Sequence, residues 1–103
     1  MGEASLSRFE ESEDRFRITG ELDSSSLELF GERLQAFVEK ASRDFDIDML
    51  DIRYMSSSFI GYLARSLVDA RAKGCGVRVR ANERLARLLR IAGIDKLAPI
   101  VLD

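Results

Sequence analysis

Three segments of this chain alternate charged and apolar residues at a period of two: Arg15-Phe16-Arg17-Ile18, Asp44-Phe45-Asp46-Ile47-Asp48-Met49 and Val77-Arg78-Val79-Arg80. Successive side chains of a strand point to opposite faces, so each segment predicts a strand with one apolar and one charged face. A weaker stretch, Leu6 to Glu11, predicts a first strand, joined to the Arg15 strand through the polar turn Ser12-Glu13-Asp14. Strands buried on both sides of a doubly wound sheet read as unbroken apolar runs. These do not, so the pattern predicts an α/β chain whose helices all cover one face of the sheet while the other face meets solvent.

Between the strands lie amphipathic helical patterns. Leu27, Phe30, Leu34, Phe37, Val38 and Ala41 recur at helical spacing and predict a helix over Ser25 to Ala41. Ser24 or Ser25 would cap it, with Glu28 at capping-box distance from Ser25. Gly31 inside this helix costs about 1 kcal/mol relative to alanine, which points to close packing there. A second helix carries Ile60, Leu63, Ala64, Leu67 and Val68 as its stripe, with Ser56 or Ser57 as cap and Gly74 as stop. A third runs from about Asn82 to Ala92, with Leu85, Leu88 and Leu89 inside and Gly93 at its end. Pro99 to Leu102 reads as a short final strand or an extended tail. Strand-helix-strand units imply parallel neighbours joined by right-handed crossovers. With every crossover on one side, the three clear strands lie side by side in sequence order, and the acidic strand sits between Arg15/Arg17 and Arg78/Arg80. Opposite charges facing across strands add about 0.2–1 kcal/mol each, enough to favour register.

Composition narrows the function. The 103 residues suit one domain, and 46% hydrophobic with 33% charged residues gives a chain able to bury a core. Met1 to Ser5 are small or polar and are expected to be loosely held, leaving 6–103 as the folded unit. Sixteen basic against 18 acidic residues give a net charge of -2, without the basic excess on which nucleic-acid affinity rests. With no histidine, the Ser-His and Cys-His nucleophile pairs and histidine-ligated metal sites are excluded. The lone Cys75 makes no internal disulfide or thiolate cage and reads as a small buried residue. No acidic cluster has metal-loop spacing and no glycine-rich phosphate loop is present. Neither a catalytic centre nor a cofactor is expected. No apolar run approaches the roughly 20 residues of a membrane span, and the start does not read as a secretory signal, so a cytoplasmic protein without membrane insertion is expected.

In parallel sheets, sites gather at the carboxyl ends of the strands. Two loops should meet there, Gly20 to Ser26 and Asp51 to Gly61, bringing Asp23 near the serines at 56, 57 and 58. Any one serine at a helix N-terminus is explained by capping, but three in succession exceed that need. A phosphate there would suit the exposed N–H groups and the helix dipole. The charged strand face reads most simply as solvated. Arg84, Arg87 and Arg90 lie on the outer side of the third helix, as a solvated face or as a surface for an acidic partner.

The string Gly20-Glu21-Leu22-Asp23, the later Ser57-Ser58 followed by Gly61 and Leu63, and the closing Leu88 with Gly93-Ile94-Asp95 and Leu97 resemble STAS domains. More narrowly, they resemble the bacterial anti-sigma factor antagonists, over about Leu6 to Ile100. The resemblance implies a mixed sheet with helices packed on one side. It also implies partner switching: the unphosphorylated domain binds a serine-kinase anti-sigma factor, which uses ATP and magnesium to phosphorylate a serine of the antagonist and so ends the binding. A cognate phosphatase resets the system, and the antagonist is a substrate without enzymatic activity. In the usual pattern the second helix opens with Asp-Ser-Ser-Gly-Leu-Gly and its second serine accepts the phosphate. Aligned here, the acceptor is Ser58, with Ser57 beside it, and Asp23 matches the acidic residue near the acceptor. The pattern's aspartate is replaced by Ser56 and its first glycine by Phe59, whose ring reads as an apolar anchor for a partner or an obstacle to one.

The resemblance thus implies a binding surface of Asp23, Ser56, Phe59, Tyr62 and Arg65, with Ser58 and Ser57 as phosphorylation sites. Two other readings compete. The missing aspartate and the bulky Phe59 favour a non-switching STAS subunit of a larger assembly such as a lipid-transport ABC complex. A small-ligand sensor using the same loops ranks last, given the lack of a phosphate loop.

Overall fold

The alternating segments form strands where their periodicity places them. The structure, a computed structural model, describes residues 7–102; the predicted loose segment 1–5 and Leu6 of the predicted first strand lie outside the described residues. In chain order the elements are β1 (Ser7–Ser12), β2 (Arg15–Leu22), α1 (Ser24–Lys40), β3 (Phe45–Met49), β4 (Ile52–Met55), α2 (Phe59–Ala72), β5 (Val77–Ala81), α3 (Glu83–Ile91), a 3-10 turn (Ile94–Lys96) and β6 (Ile100–Leu102). The sheet runs β1-β2-β3-β5-β6, with β1 antiparallel to β2 and the other pairings parallel. It is the mixed sheet the sequence implied, and the three alternating strands are neighbours in sequence order. Phe16 and Ile18 of β2, Ile47 and Met49 of β3, and Val79 and Ala81 of β5 share one core with Phe30 and Leu34 of α1, Leu63 and Leu67 of α2, and Ala86 and Leu89 of α3. All three helices therefore cover the same face.

One strand escaped the sequence reading. Ile52 to Met55 looked like loop but forms β4, which pairs in parallel with β2 at Gly20↔Ile52, Glu21↔Tyr54 and Leu22↔Met55. β3 pairs with the earlier part of β2, Arg15 to Arg17. The two strands thus follow one another along β2, separated by a turn at Leu50 and Asp51. Gly20, at φ 102°, takes the left-handed backbone that L side chains rarely adopt and marks the shift of register. Its N–H donates to the Asp51 carbonyl at 3.2 Å. On the other side of the break the Asn82 amide donates to the Leu50 and Ile52 carbonyls, both at 3.0 Å. The same side chain accepts from the Leu85 N–H at 2.9 Å as the cap of α3, so one asparagine satisfies two interrupted elements.

The charged face is less open to water than alternation suggests. Asp48 is only 3% exposed. Its carboxylate lies 3.5 Å from the Arg17 guanidinium and 4.0 Å from that of Arg15, and accepts from the Leu50 N–H at 3.1 Å. Asp46 accepts from Arg78 through both oxygens, at 3.0 and 3.2 Å, and from Arg80 at 3.4 Å. The arginine side chains from the flanking strands roof over the acidic row, and it is chiefly they that meet solvent. A further cation ties the helices together: Lys73, at the C-terminus of α2, donates from Nζ to the Val38 and Glu39 carbonyls of α1, both at 2.7 Å. Removing the buried carboxylate should cost more than removing an exposed one. Asp48→Ala is expected to lower the unfolding free energy by about 1–3 kcal/mol. Asp51→Ala, which removes the 2.6 Å partner of Arg17 at an exposed position, is expected to cost less than about 1 kcal/mol; urea titration of both variants measures the difference.

Candidate functional site

β2 and β4 are adjacent and parallel, so the residues following them emerge side by side. Leu22 pairs with Met55, and the N–H of Ser56 donates to the Leu22 carbonyl at 2.9 Å. Asp23 follows directly from the one and Ser57 and Ser58 from the other, so the two loops meet at the carboxyl ends of their strands as predicted.

Asp23 itself, rather than Ser24 or Ser25, caps α1. Its extended backbone turns the chain into the helix at Ser24, and its carboxylate accepts from the N–H groups of Ser25 at 3.0 Å and Ser26 at 3.2 Å. The predicted capping box of Ser25 and Glu28 is therefore not formed, because the cap lies two residues earlier and Glu28 falls beyond its reach. The Ser25 hydroxyl donates to the same carboxylate at 2.6 Å and the Ser26 hydroxyl lies 3.3 Å from it. The Ser25 hydroxyl above all, opposed by partial desolvation and helped by the two backbone N–H groups and the Ser26 hydroxyl, lowers the Asp23 carboxyl below its ordinary value.

At the start of α2 the three serines divide their tasks. The Ser56 hydroxyl oxygen accepts from the Ser58 N–H at 3.4 Å, and the Ser56 and Ser57 carbonyls accept from the N–H groups of Phe59 and Ile60 at 3.0 and 3.1 Å. The Ser56 hydroxyl thus bonds one N–H at the helix entrance, but the cap position falls at Ser58 and not at Ser56 or Ser57 as the sequence predicts. Ser58 occupies the cap position with a helical backbone, φ −62° and ψ −24°, and its side chain makes no capping hydrogen bond. Ser57 and Ser58 are both exposed.

Phe59 corrects the sequence reading. Its ring is fully buried and lies 4.5 Å from that of Phe30, centroid to centroid. The first turn of α2 presses against α1 and directs the ring into the core, so Phe59 is neither an exposed anchor nor an obstacle at the surface. The exposed aromatic of α2 is Tyr62, one turn on and 40% accessible. Its ring covers Gly31, where even a Cβ would collide with it, which accounts for the glycine inside α1. Arg65 is exposed and forms no ion pair among the described residues. Asp23, Ser56, Ser57, Ser58, Tyr62 and Arg65 thus belong to the loop pair and the α2 surface that follows it, while Phe59 supports the surface from beneath. Gly31 and Phe30 complete the support; the glycine within a helical pattern was the sequence signal for that contact. Among the described residues no group of acidic and cysteine side chains is placed to hold a metal ion, and no helix is long and apolar enough to cross a membrane.

The chain matches the sequence profile of the family described as "Mlab, STAS domain" over residues 5–102, and it belongs to that family. No curated protein sequence gives a match. Among solved structures it is similar to an anti-sigma factor antagonist from Mycobacterium paratuberculosis, with TM-score 0.78 and 19% identity over 92% of this chain and 83% of the other. SiaC of Pseudomonas aeruginosa superposes with TM-score 0.67 and 21% identity, covering 100% and 93% of the two chains. The anti-sigma factor antagonist SpoIIAA in its unphosphorylated form gives TM-score 0.67 and 13% identity, covering 94% and 87%. These likenesses establish the fold.

Two measurements check the local assignments. Phe59→Ala should destabilise the chain by about 3–5 kcal/mol, seen as a lower urea midpoint in the absence of any partner. For Asp23 the folded carboxyl ionises more readily than the unfolded one. Its contribution is therefore complete above the ordinary carboxylate range, about pH 4, and is lost as pH falls through the lower folded value. Asn caps helices as well as Asp, so Asp23→Asn should keep α1 but remove this acid-dependent loss from the stability-pH curve.

Proposed function

We propose that this chain is an anti-sigma factor antagonist acting in the cytoplasm by partner switching. It is a binding protein and a kinase substrate, without catalysis of its own. In this reading the unphosphorylated chain docks on a serine-kinase anti-sigma factor through the Asp23 loop, Ser56, Ser57 and the outer residues Tyr62 and Arg65. The kinase, with ATP and magnesium, transfers a phosphate to the Ser58 hydroxyl; Ser57 is the neighbouring acceptor. A cognate phosphatase restores the binding form.

The observation that carries this reading is the state of Ser58. Its hydroxyl is exposed and makes no capping bond, while the Ser56 hydroxyl accepts from the Ser58 N–H. A phosphate on Ser58 would lie at a helix N-terminus, where the dipole and free N–H groups tolerate it, so the fold survives the modification. The partner interface would not, since the phosphate brings about two negative charges to a surface that also carries the ionised Asp23. The structural similarity to anti-sigma factor antagonists, SpoIIAA among them, supports the same reading.

A second reading, a fixed STAS subunit of a larger assembly such as a lipid-transport ABC complex, draws on the MlaB profile and on Phe59. With that ring in the core, the start of α2 is built differently from the small-residue pattern of the switching antagonists. The two readings separate in a pull-down from native cells with wild type, Ser58→Ala and Ser58→Asp, analysed by mass spectrometry. Partner switching predicts a kinase-fold protein bound by wild type and Ser58→Ala and recovered about tenfold less, or lower, with Ser58→Asp. Equal recovery of a transporter ATPase by all three would establish the fixed subunit and reject the switch.

A further inference from the structure

A second surface lies on the other side of β4. Among the described residues β4 hydrogen-bonds to one strand only, β2. β5 ends at Ala81 and the chain passes through Asn82 into α3, so among the described residues no strand runs beside β4 on this side. Asn82 satisfies the edge as far as the Ile52 carbonyl. Beyond it a groove of about 190 Å³ opens between the β4 edge and α3, floored by Ile52, Met55, Leu85 and Leu88 and flanked by Arg53, Tyr54 and Arg84. Tyr54 is 55% exposed, Leu88 36% and Ile91, one turn beyond Leu88 on the same stripe, 78%. Large apolar side chains at such exposure beside an open strand edge form an unfilled recognition surface.

The charges beside the groove indicate what fills it. Arginines of the sheet face are paired with Asp46 and Asp48. Arg53, Arg84, Arg87 and Arg90 form no ion pair among the described residues, although the whole chain is net negative. Four cations without a counterion are thus gathered at this edge. The two outer edges of the sheet lack this combination: β6 has only three residues, and the β1 strand interleaves Phe9 with Arg8, Glu10 and Glu11.

We propose that the β4–α3 groove binds an extended acidic segment of a partner protein, which adds to the free edge of β4. Backbone groups of the segment pair with β4, its apolar side chains pack on Tyr54, Leu85 and Leu88, and its carboxylates meet Arg53, Arg84 and Arg87. The surface is separate from Ser58, so the proposal does not depend on phosphorylation.

The test is selection from a random displayed-peptide library on the purified chain, followed by amide chemical-shift mapping of the enriched peptides. The expected result is peptides alternating Asp or Glu with apolar residues, shifting the amides of Ile52–Met55, Asn82 and Leu88. Their affinity should fall about tenfold or more in Arg84→Glu/Arg87→Glu and in the uncharged variant Tyr54→Ala, with circular dichroism confirming that both variants fold, and should be unchanged in Ser58→Asp. Failure to enrich, enrichment without acidic residues, or shifts confined to Ser56–Tyr62 would overturn the proposal. So would reversible dimerisation in sedimentation that the charge reversal abolishes, which would assign the groove to a second copy. Binding to phosphatidylglycerol vesicles that outcompetes the peptides would assign it to a lipid surface.

Discussion

The arrangement of this domain depends on β2 giving one edge to two successive strands. β3 occupies the first part of that edge and β4 the second, and the Leu50-Asp51 turn between them is held on one side by Gly20 and Arg17 and on the other by Asn82. β3 runs beside β5 as far as Met49↔Ala81, and the chain then breaks at Leu50 and Asp51. The break brings β4 out beside the end of β2 alone. Two surfaces follow from this one offset: the loop pair of Asp23 and Ser56 to Ser58 on the β2 side, and the open groove beneath α3 on the other.

Charge is distributed with the same economy. The central strand is acidic and its neighbours basic, so Asp46 and Asp48 are covered by arginines and the sheet face is neutralised within itself. Such half-exposed pairs contribute modestly to stability, and their main effect is on register, since a shift by one residue would point the apolar row into water and the charged row into the core. Four arginines that form no ion pair among the described residues, Arg53, Arg84, Arg87 and Arg90, sit elsewhere, on β4 and α3.

Much of this was legible in the sequence. Alternation with a period of two identified β2, β3 and β5, placed the acidic strand between the basic ones and required a one-sided core; Gly31 signalled a close helix contact, supplied by Tyr62. What was not legible depended on tertiary context. β4 is too short to show a period, and its Ile52 and Met55 face the core because of a turn that only the paired β2 reveals. Asp23 outcompeted the adjacent serines as a cap because a carboxylate accepts several N–H and O–H groups at once. Phe59 read as surface because the motif position it occupies is one where the resembling family has glycine; the depth of the α1–α2 contact, where it meets Phe30, is not encoded locally.

The burial of Phe59 has a mechanical consequence. A side chain of that size contributes about 1.5–3 kcal/mol through removal from water, and it belongs to the very turn that carries the serines. Unwinding or tilting that turn would draw the ring out of its contact with Phe30, and Lys73 clasps the far end of the same helix to α1. The helix is therefore fastened at both ends. A group added to its exposed first residues would therefore change the potential and shape of that surface while the backbone beneath stayed where it is.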